Sequence, residues 1–266
     1  MYKSLIIIII LSAIVIIEGV LLVRFWPKKP RAKAKIAAIP SVAVPTVAKI
    51  AIVIDDWGYN LRNENFLSEF NYPVTISILP HLAYSSQIAY LTRKNNKEII
   101  LHLPMEPHER KEIHLEKQVV FTHMNEKEII QTLNDALKSV PFSSGVNNHM
   151  GSRATEDERV MAILFRQLKK KKLYFLDSFV TSYSICESLA EKMNVRFVQR
   201  DVFLDNQADY KYIVGQLQLL VKKAKKKGFA VGVGHDRQLT LQAIKDFAPA
   251  FEKQGIKLVF VSEAVK

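Results

Sequence analysis

Residues 50–58 read Ile50-Ala51-Ile52-Val53-Ile54-Asp55-Asp56-Trp57-Gly58, an unbroken apolar run of β type that stops at two adjacent carboxylates, an aromatic ring and a glycine. A strand buried on both faces shows such a continuous run, so the paired charges at its end belong at the mouth of a sheet or barrel. Two neighbouring carboxylates repel one another unless a cation or a shared proton relieves them. Gly58 lets the backbone turn tightly beside them. This junction is where the chemistry is expected, and three further strand ends carry His102, His149 and His235.

From residue 48 onward the pattern alternates. Strand-like runs occur at 49–56, 74–79, 98–103, 145–148, 173–177, 195–204, 229–234 and 256–261. Between most of them lie helical patterns, at 85–95, 126–139, 156–171, 184–193, 210–227 and 240–254, with apolar residues three and four apart. Such alternation predicts a parallel sheet, and seven or eight units favour a closed (β/α)7-8 barrel over an open sheet. Residues 107–123 read as an excursion or short hairpin at the rim. In a barrel of this kind functional groups gather at the carboxyl ends of the strands. Those ends deliver Asp55-Asp56, His81, His102 with Glu106, His149, Asp177, Arg200-Asp201 with Asp205, and His235.

The stretch from Leu5 to Val23 is almost wholly apolar and long enough to span a bilayer. It predicts a membrane anchor within residues 1–26, followed by a Pro/Ala/Lys tether at 27–47 and a folded domain at 48–266. Arg24, Lys28, Lys29, Arg31, Lys33 and Lys35 follow the apolar segment and only Lys3 precedes it, which by the positive-inside rule places the domain in the cytoplasm. Half of the net charge of +12 lies in residues 1–47. In the remainder, lysines 169–172 and 222–227 sit near predicted helix ends, where cations complement the dipole. No aromatic residues interleave with them, so a nucleic-acid platform is not expected. The single cysteine, Cys186, allows no intramolecular disulfide and reads as a buried thiol.

Ile-Asp55-Asp56-Trp-Gly-Tyr59, Leu-His102-Leu-Pro-Met-Glu106-Pro, Asn147-Asn148-His149-Met-Gly-Ser, Phe-Leu-Asp177-Ser178, Arg200-Asp201-Val-Phe-Leu-Asp205 and Gly-Val-Gly-His235 together resemble the divergent polysaccharide deacetylase family. That family is similar to the NodB-homology carbohydrate esterases, and the resemblance implies a distorted (β/α) barrel and a divalent metal, commonly Zn2+. Carried over residue by residue, Asp55 resembles the general base and Asp56 the metal-binding carboxylate. His102 is the next ligand. Where the NodB pattern has a second histidine four residues on, this chain has Glu106. The third ligand is therefore Glu106 or His149, and the small residues around the Asn-Asn-His-Met-Gly-Ser turn, which permit close approach to an ion, favour His149.

The resemblance implies hydrolysis of N-acetyl or O-acetyl groups on a cell-envelope polysaccharide or peptidoglycan fragment. His235 would protonate the leaving group, with Asp177, Arg200 and Asp201 as ligands or supports of the site. Trp57, Tyr59, His81 and Asn148 are expected to contact the sugar, with core packing as an equal alternative for Trp57 and Tyr59, as for Met105 and Met150 beside them. Such a substrate lies outside the cytoplasmic membrane, which implies a periplasmic domain against the flanking charges. Two other classes remain: a non-catalytic envelope protein that binds polysaccharide or a protein partner, and a metal-dependent phosphoesterase.

Overall fold

A computed structural model describes residues 48–109 and 118–265; the expected anchor and tether lie outside them. Among the described residues no helix is long and apolar enough to cross a membrane. Among the described residues nine strands form one sheet: β1 (Ala48–Trp57), β2 (Thr75–Ile78), β3 (Glu98–Met105), β4 (Gly145–Met150), β5 (Tyr174–Asp177), β6 (Phe197–Gln199), β7 (Val202–Phe203), β8 (Phe229–His235) and β9 (Ile256–Val259). Their order is β6-β5-β4-β3-β2-β1-β8-β7, and β9 pairs with the first residues of β1. Every strand pairing is parallel.

The α-helices are α1 (Asn65–Glu69), α2 (Ser85–Lys94), α3 (Glu126–Ser139), α4 (Glu158–Lys171), α5 (Cys186–Met193), α6 (Tyr210–Lys227) and α7 (Gln238–Lys253). Side-chain caps start three of them, from Asn125, Asp157 and Asp209. The lysine clusters occupy the last turns of α4 and α6, as the dipole argument requires.

The rolled sheet has two apolar faces, which is why β1 shows no polar alternation. Ile50, Ile52 and Ile54 pack into the large core beneath the helices. Ala51 and Val53 point the other way and join Ile100, Tyr174, Leu176, Val231, Val233 and Val259 in a second core inside the roll. Odd-numbered residues of β1 thus face the interior. Close packing there requires Gly145, because a Cβ at that position would lie 2.4 Å from the Tyr174 ring.

The parallel α/β architecture matches the expectation from sequence, but the sheet is a half-barrel, unpaired among the described residues between its end strands β6 and β7, rather than the closed barrel that the number of units favours. The single strand expected over 195–204 is broken at Arg200-Asp201. There the chain leaves the edge of β5, where Arg200 N donates to Asp177 O, and reaches the edge of β8, where Asp201 N donates to Val231 O. Of the expected excursion at 107–123, Val120 pairs with Met105 and anchors the return of the chain.

Candidate metal centre

Period-two alternation carries the interior face of each strand to the carboxyl end of the sheet. There it delivers Asp55 from β1, His102 from β3, Asn147 and His149 from β4, and His235 from β8. Asp55 and His235 are register partners, as are His102 and Asn147. Alternation alone would send Asp56 outward. Instead its φ of +67° and the register shift between Ile54 and Trp57 turn its carboxylate inward. Asp tolerates this left-handed geometry better than most residues.

Asp56 Oδ1 lies 3.3 Å from His102 Nε2 and 3.3 Å from His149 Nδ1. The two imidazole nitrogens are 3.1 Å apart. Asp56, His102 and His149 therefore form an Asp/His/His group of the kind that holds a metal ion. Tetrahedral coordination at zinc's usual bond lengths of about 2.0–2.1 Å places neighbouring ligand atoms about 3.3 Å apart, so the triangle already has the required edge. Asp56 Oδ1 is buried and makes no well-directed hydrogen bond. An acceptor oxygen in that position suits a cation. Burial works against ionisation of Asp56, but the closeness of His102 and His149 outweighs it and holds the carboxyl well below the usual range.

Beside the triangle stand two groups that do not belong to it. Asp55 Oδ2 is 3.7 Å from His102 Nε2, and its Oδ1 accepts a hydrogen bond of 3.0 Å from Asn147 Nδ2. His235 Nε2 is 3.8 Å from Asp56 Oδ2, while its Nδ1 pairs with Asp205 Oδ1 at 2.9 Å. Burial disfavours the imidazolium. The Asp205 hydrogen bond and the carboxylates of Asp56, Asp205 and Asp55 more than offset this, raising the His235 pKa. Asp205 is itself held in place, since its Oδ2 accepts from the His235 backbone N–H and the Thr240 hydroxyl.

Several residues expected at the site do other work. Glu106 is fully buried and not part of the triangle, accepting from the Thr122 N–H at 2.7 Å, the Thr122 hydroxyl at 2.6 Å and Arg153 at 3.4 Å. It locks the returning chain to β3. Glu106→Gln should cost about 2 kcal/mol in stability, because one acceptor becomes a donor facing donors, while metal content by elemental analysis stays unchanged; loss of metal would make Glu106 a ligand.

Trp57 is fully buried within the helix-side core, which corrects its expected place against a sugar. The left-handed turn at Asp56 moves the next residue to the other face. Asn148 is also buried, and its amide is used by Ser178 N–H and Met150 O; it shapes the turn that presents His149. Asp177 accepts from Phe179 N–H and the Ser184 hydroxyl, and burial raises its pKa. Arg200 donates to the Ser178 and Phe179 carbonyls. Asp201 binds Lys227 and Val231 N–H, so it braces β7, β8 and α6. His81 has a left-handed backbone whose N–H donates to Ser139. Tyr59 is exposed beyond the end of β1.

Asp236 accepts from Asn63 at 2.7 Å. Burial and then the charge of Asp56 push its pKa up to about 6, against the Asn63 hydrogen bond. The folded state thus holds a proton that the unfolded chain releases near pH 4, and stability falls as pH rises between those values. Asp236→Asn should stabilise the metal-free protein at pH 8 by about 1–2 kcal/mol and lose this advantage by pH 4. A pH-independent difference in melting would remove that cause.

Asn147 and Asp205 carry the hydrogen bonds that hold the site together, and neither has an assigned role on sequence alone. Strand parity was the available signal for Asn147, since 145, 147 and 149 share one face of β4.

Comparison with known proteins agrees with this architecture. The uncharacterized protein YibQ of Escherichia coli is 30% identical over 79% of this chain, and an uncharacterized protein of Haemophilus influenzae is 30% identical over 74%. The chain spans 65% and 70% of the length of these two relatives. In structure, an uncharacterized protein from Agrobacterium tumefaciens superposes with a TM-score of 0.79 at 22% identity, covering 84% of this chain and 91% of that one. This likeness shows a shared fold. The sequence profile of one family, the divergent polysaccharide deacetylases, matches residues 52–265, which takes in every strand end described above, and the chain belongs to that family.

Proposed function

We propose that the chain is a metal-dependent hydrolase that removes N-acetyl or O-acetyl groups from a cell-envelope polysaccharide. The observation that carries this reading is the presence of Asp55 and His235 beside the Asp/His/His triangle, each within 4 Å of a ligand side chain and neither part of the triangle. A site that only held an ion for structure would have no use for them.

Asp56, His102 and His149 would hold the cation, and one carboxylate with two imidazoles is a donor set suited to Zn2+. When bound, such an ion polarises an acyl carbonyl and makes a water more acidic. Asp55 receives the proton of the attacking water through the oxygen that Asn147 leaves uncovered. His235, whose protonated form Asp205 favours, passes its proton to the departing amine or alcohol oxygen. Tyr59, exposed at the rim, offers a ring face for a sugar. Arg200 and Asp177 keep the β5 end in place and do not touch the reacting atoms.

Elemental analysis of the full chain, coupled to acetate release from acetylated chitooligosaccharide and peptidoglycan fragments, tests this reading. One metal per chain with acetate released is the expected result. Metal without acetate would remove the deacetylase assignment, and no metal would remove the mechanism. Since an acetylated envelope polymer lies outside the cytoplasmic membrane, we place the domain there as well, anchored by residues 1–26. An inactive alkaline phosphatase fusion at the C-terminal end would instead uphold the flanking-charge rule.

A further inference from the structure

Asn147 is fully buried beneath the triangle and makes every hydrogen bond its amide can make. Its Oδ1 accepts from the Ser77 hydroxyl at 2.7 Å and lies 3.0 Å from His102 Nδ1. Its Nδ2 donates to Asp55 Oδ1 at 3.0 Å and to Ser178 Oγ at 3.2 Å. Only one of these partners has a fixed role: a carboxylate accepts and does not donate. Asp55 therefore sets the amide with its NH2 toward β1 and its oxygen toward β3. With the amide reversed, two acceptor oxygens would face each other at the same distance.

A consequence follows for His102. Facing an acceptor, its Nδ1 must carry a proton, so in the neutral imidazole, the form that binds a metal, Nε2 is the nitrogen without one. Nε2 is left with its lone pair aimed at the triangle, 3.3 Å from Asp56 Oδ1.

We propose that Asn147 is the positioning residue that divides the labour between the two adjacent aspartates: it fixes His102 in the metal-binding tautomer and holds Asp55 back as the proton acceptor. The proposal rests on the hydrolase reading above. Asp55 and Asp56 are neighbours in sequence and both reach the mouth of the half-barrel, so some restraint must keep Asp55 out of the ion's first contacts. The amide supplies that restraint through Oδ1 of Asp55, and Ser77 and Ser178, both buried, keep the amide from rotating. All four partners belong to strand ends or to the turn just after β5, so the arrangement exists before any ion arrives.

The test uses three readouts on the full chain. In metal-free protein labelled with 15N-histidine, the His102 ring nitrogens, assigned against His102→Gln, should show the Nδ1–H tautomer, and Asn147→Ala should show a mixture. In zinc titrations Asn147→Ala should bind about 10–100-fold more weakly, the usual penalty for removing an outer hydrogen-bond partner of a ligand histidine. Asn147→Asp separates the two duties: one carboxylate oxygen still accepts from His102 and Ser77, while the other faces Asp55 across about 3.0 Å, where two carboxyl groups share a proton and Asp55 is no longer a free base. This variant should bind zinc within about threefold of the parent and release acetate at least about tenfold more slowly.

A merely structural role would lower both properties together in both variants, and that result would overturn the proposal. So would an Nε2–H tautomer in the parent protein. If the parent takes up no zinc and releases no acetate, the hydrolase reading fails. The His102 tautomer still reports on Asn147 in that case.

Discussion

Asp56→Asn is expected to leave the chain folded and strip it of metal, with bound zinc falling from one per chain to near none and acetate release falling with it. Asparagine is the informative replacement because Asp56 has a φ of +67°, a geometry that asparagine accepts and alanine resists. The substitution thus removes charge without adding backbone strain. What remains is two imidazoles 3.1 Å apart, which in the absence of a cation share a proton rather than hold an ion. Removing partners outside the first contacts of a metal already costs about 10–100-fold in affinity, and loss of the only carboxylate in the triangle should cost more. The control is Asp55→Asn. Asp55 lies outside the triangle, so this variant should keep its zinc and lose turnover. Full metal in Asp56→Asn, or equal loss in both, would show that the triangle is not the binding site.

Much of the site was legible because strand parity is a strict rule. Ile50 to Ile54 announced a strand with two buried faces, and the same odd-numbered face that carries Ala51 and Val53 into the interior carries Asp55. His102, His149 and His235 arrive at the mouth for the same reason. The errors have physical causes of the same scale. One left-handed residue, Asp56, exchanges the faces of the two positions at the strand end. Its own side chain enters the site, and Trp57, for which sequence left sugar contact and core packing both open, goes into the helix-side core.

Nothing in the composition of the run foretells that turn. Choosing Asn148 over Asn147 was a parity error that the alternation of β4 could have prevented. Glu106 entered as an alternative ligand because the pattern that the chain resembles has a histidine at that spacing from His102. Here β3 runs on through Pro104 to Met105, and four residues of strand span about 13 Å. Asp205 was placed at a strand end by sequence, but its pairing with His235, 30 residues away, could be found only in three dimensions.

His235→Ala should lower turnover by about 10²–10⁴-fold, the usual worth of a positioned general acid, and leave the zinc content intact. The second half of that expectation matters most. His235 Nε2 is 3.8 Å from Asp56 Oδ2 and lies outside the triangle, so loss of metal would make it a ligand. Its hydrogen bond to Asp205 leads to a pH test. The raised pKa of His235 comes from Asp205 and the other carboxylates acting against burial. An acid must be protonated to work, so the Asp205 hydrogen bond should set where the alkaline limb of the rate profile falls. In Asp205→Asn the hydrogen bond to Nδ1 survives in weaker form and the charge is gone, while burial still opposes the imidazolium. The alkaline limb should therefore move to lower pH. Folding stability should follow the same sign: the pair stabilises the parent below the unfolded histidine pKa and loses that contribution as pH rises through the higher folded value. The depressed pKa of Asp205 sets the acid side, where stability is lost as pH falls through the folded carboxylate value. An alkaline limb that does not move in Asp205→Asn would detach this carboxylate from the chemistry and leave His235 acting without it.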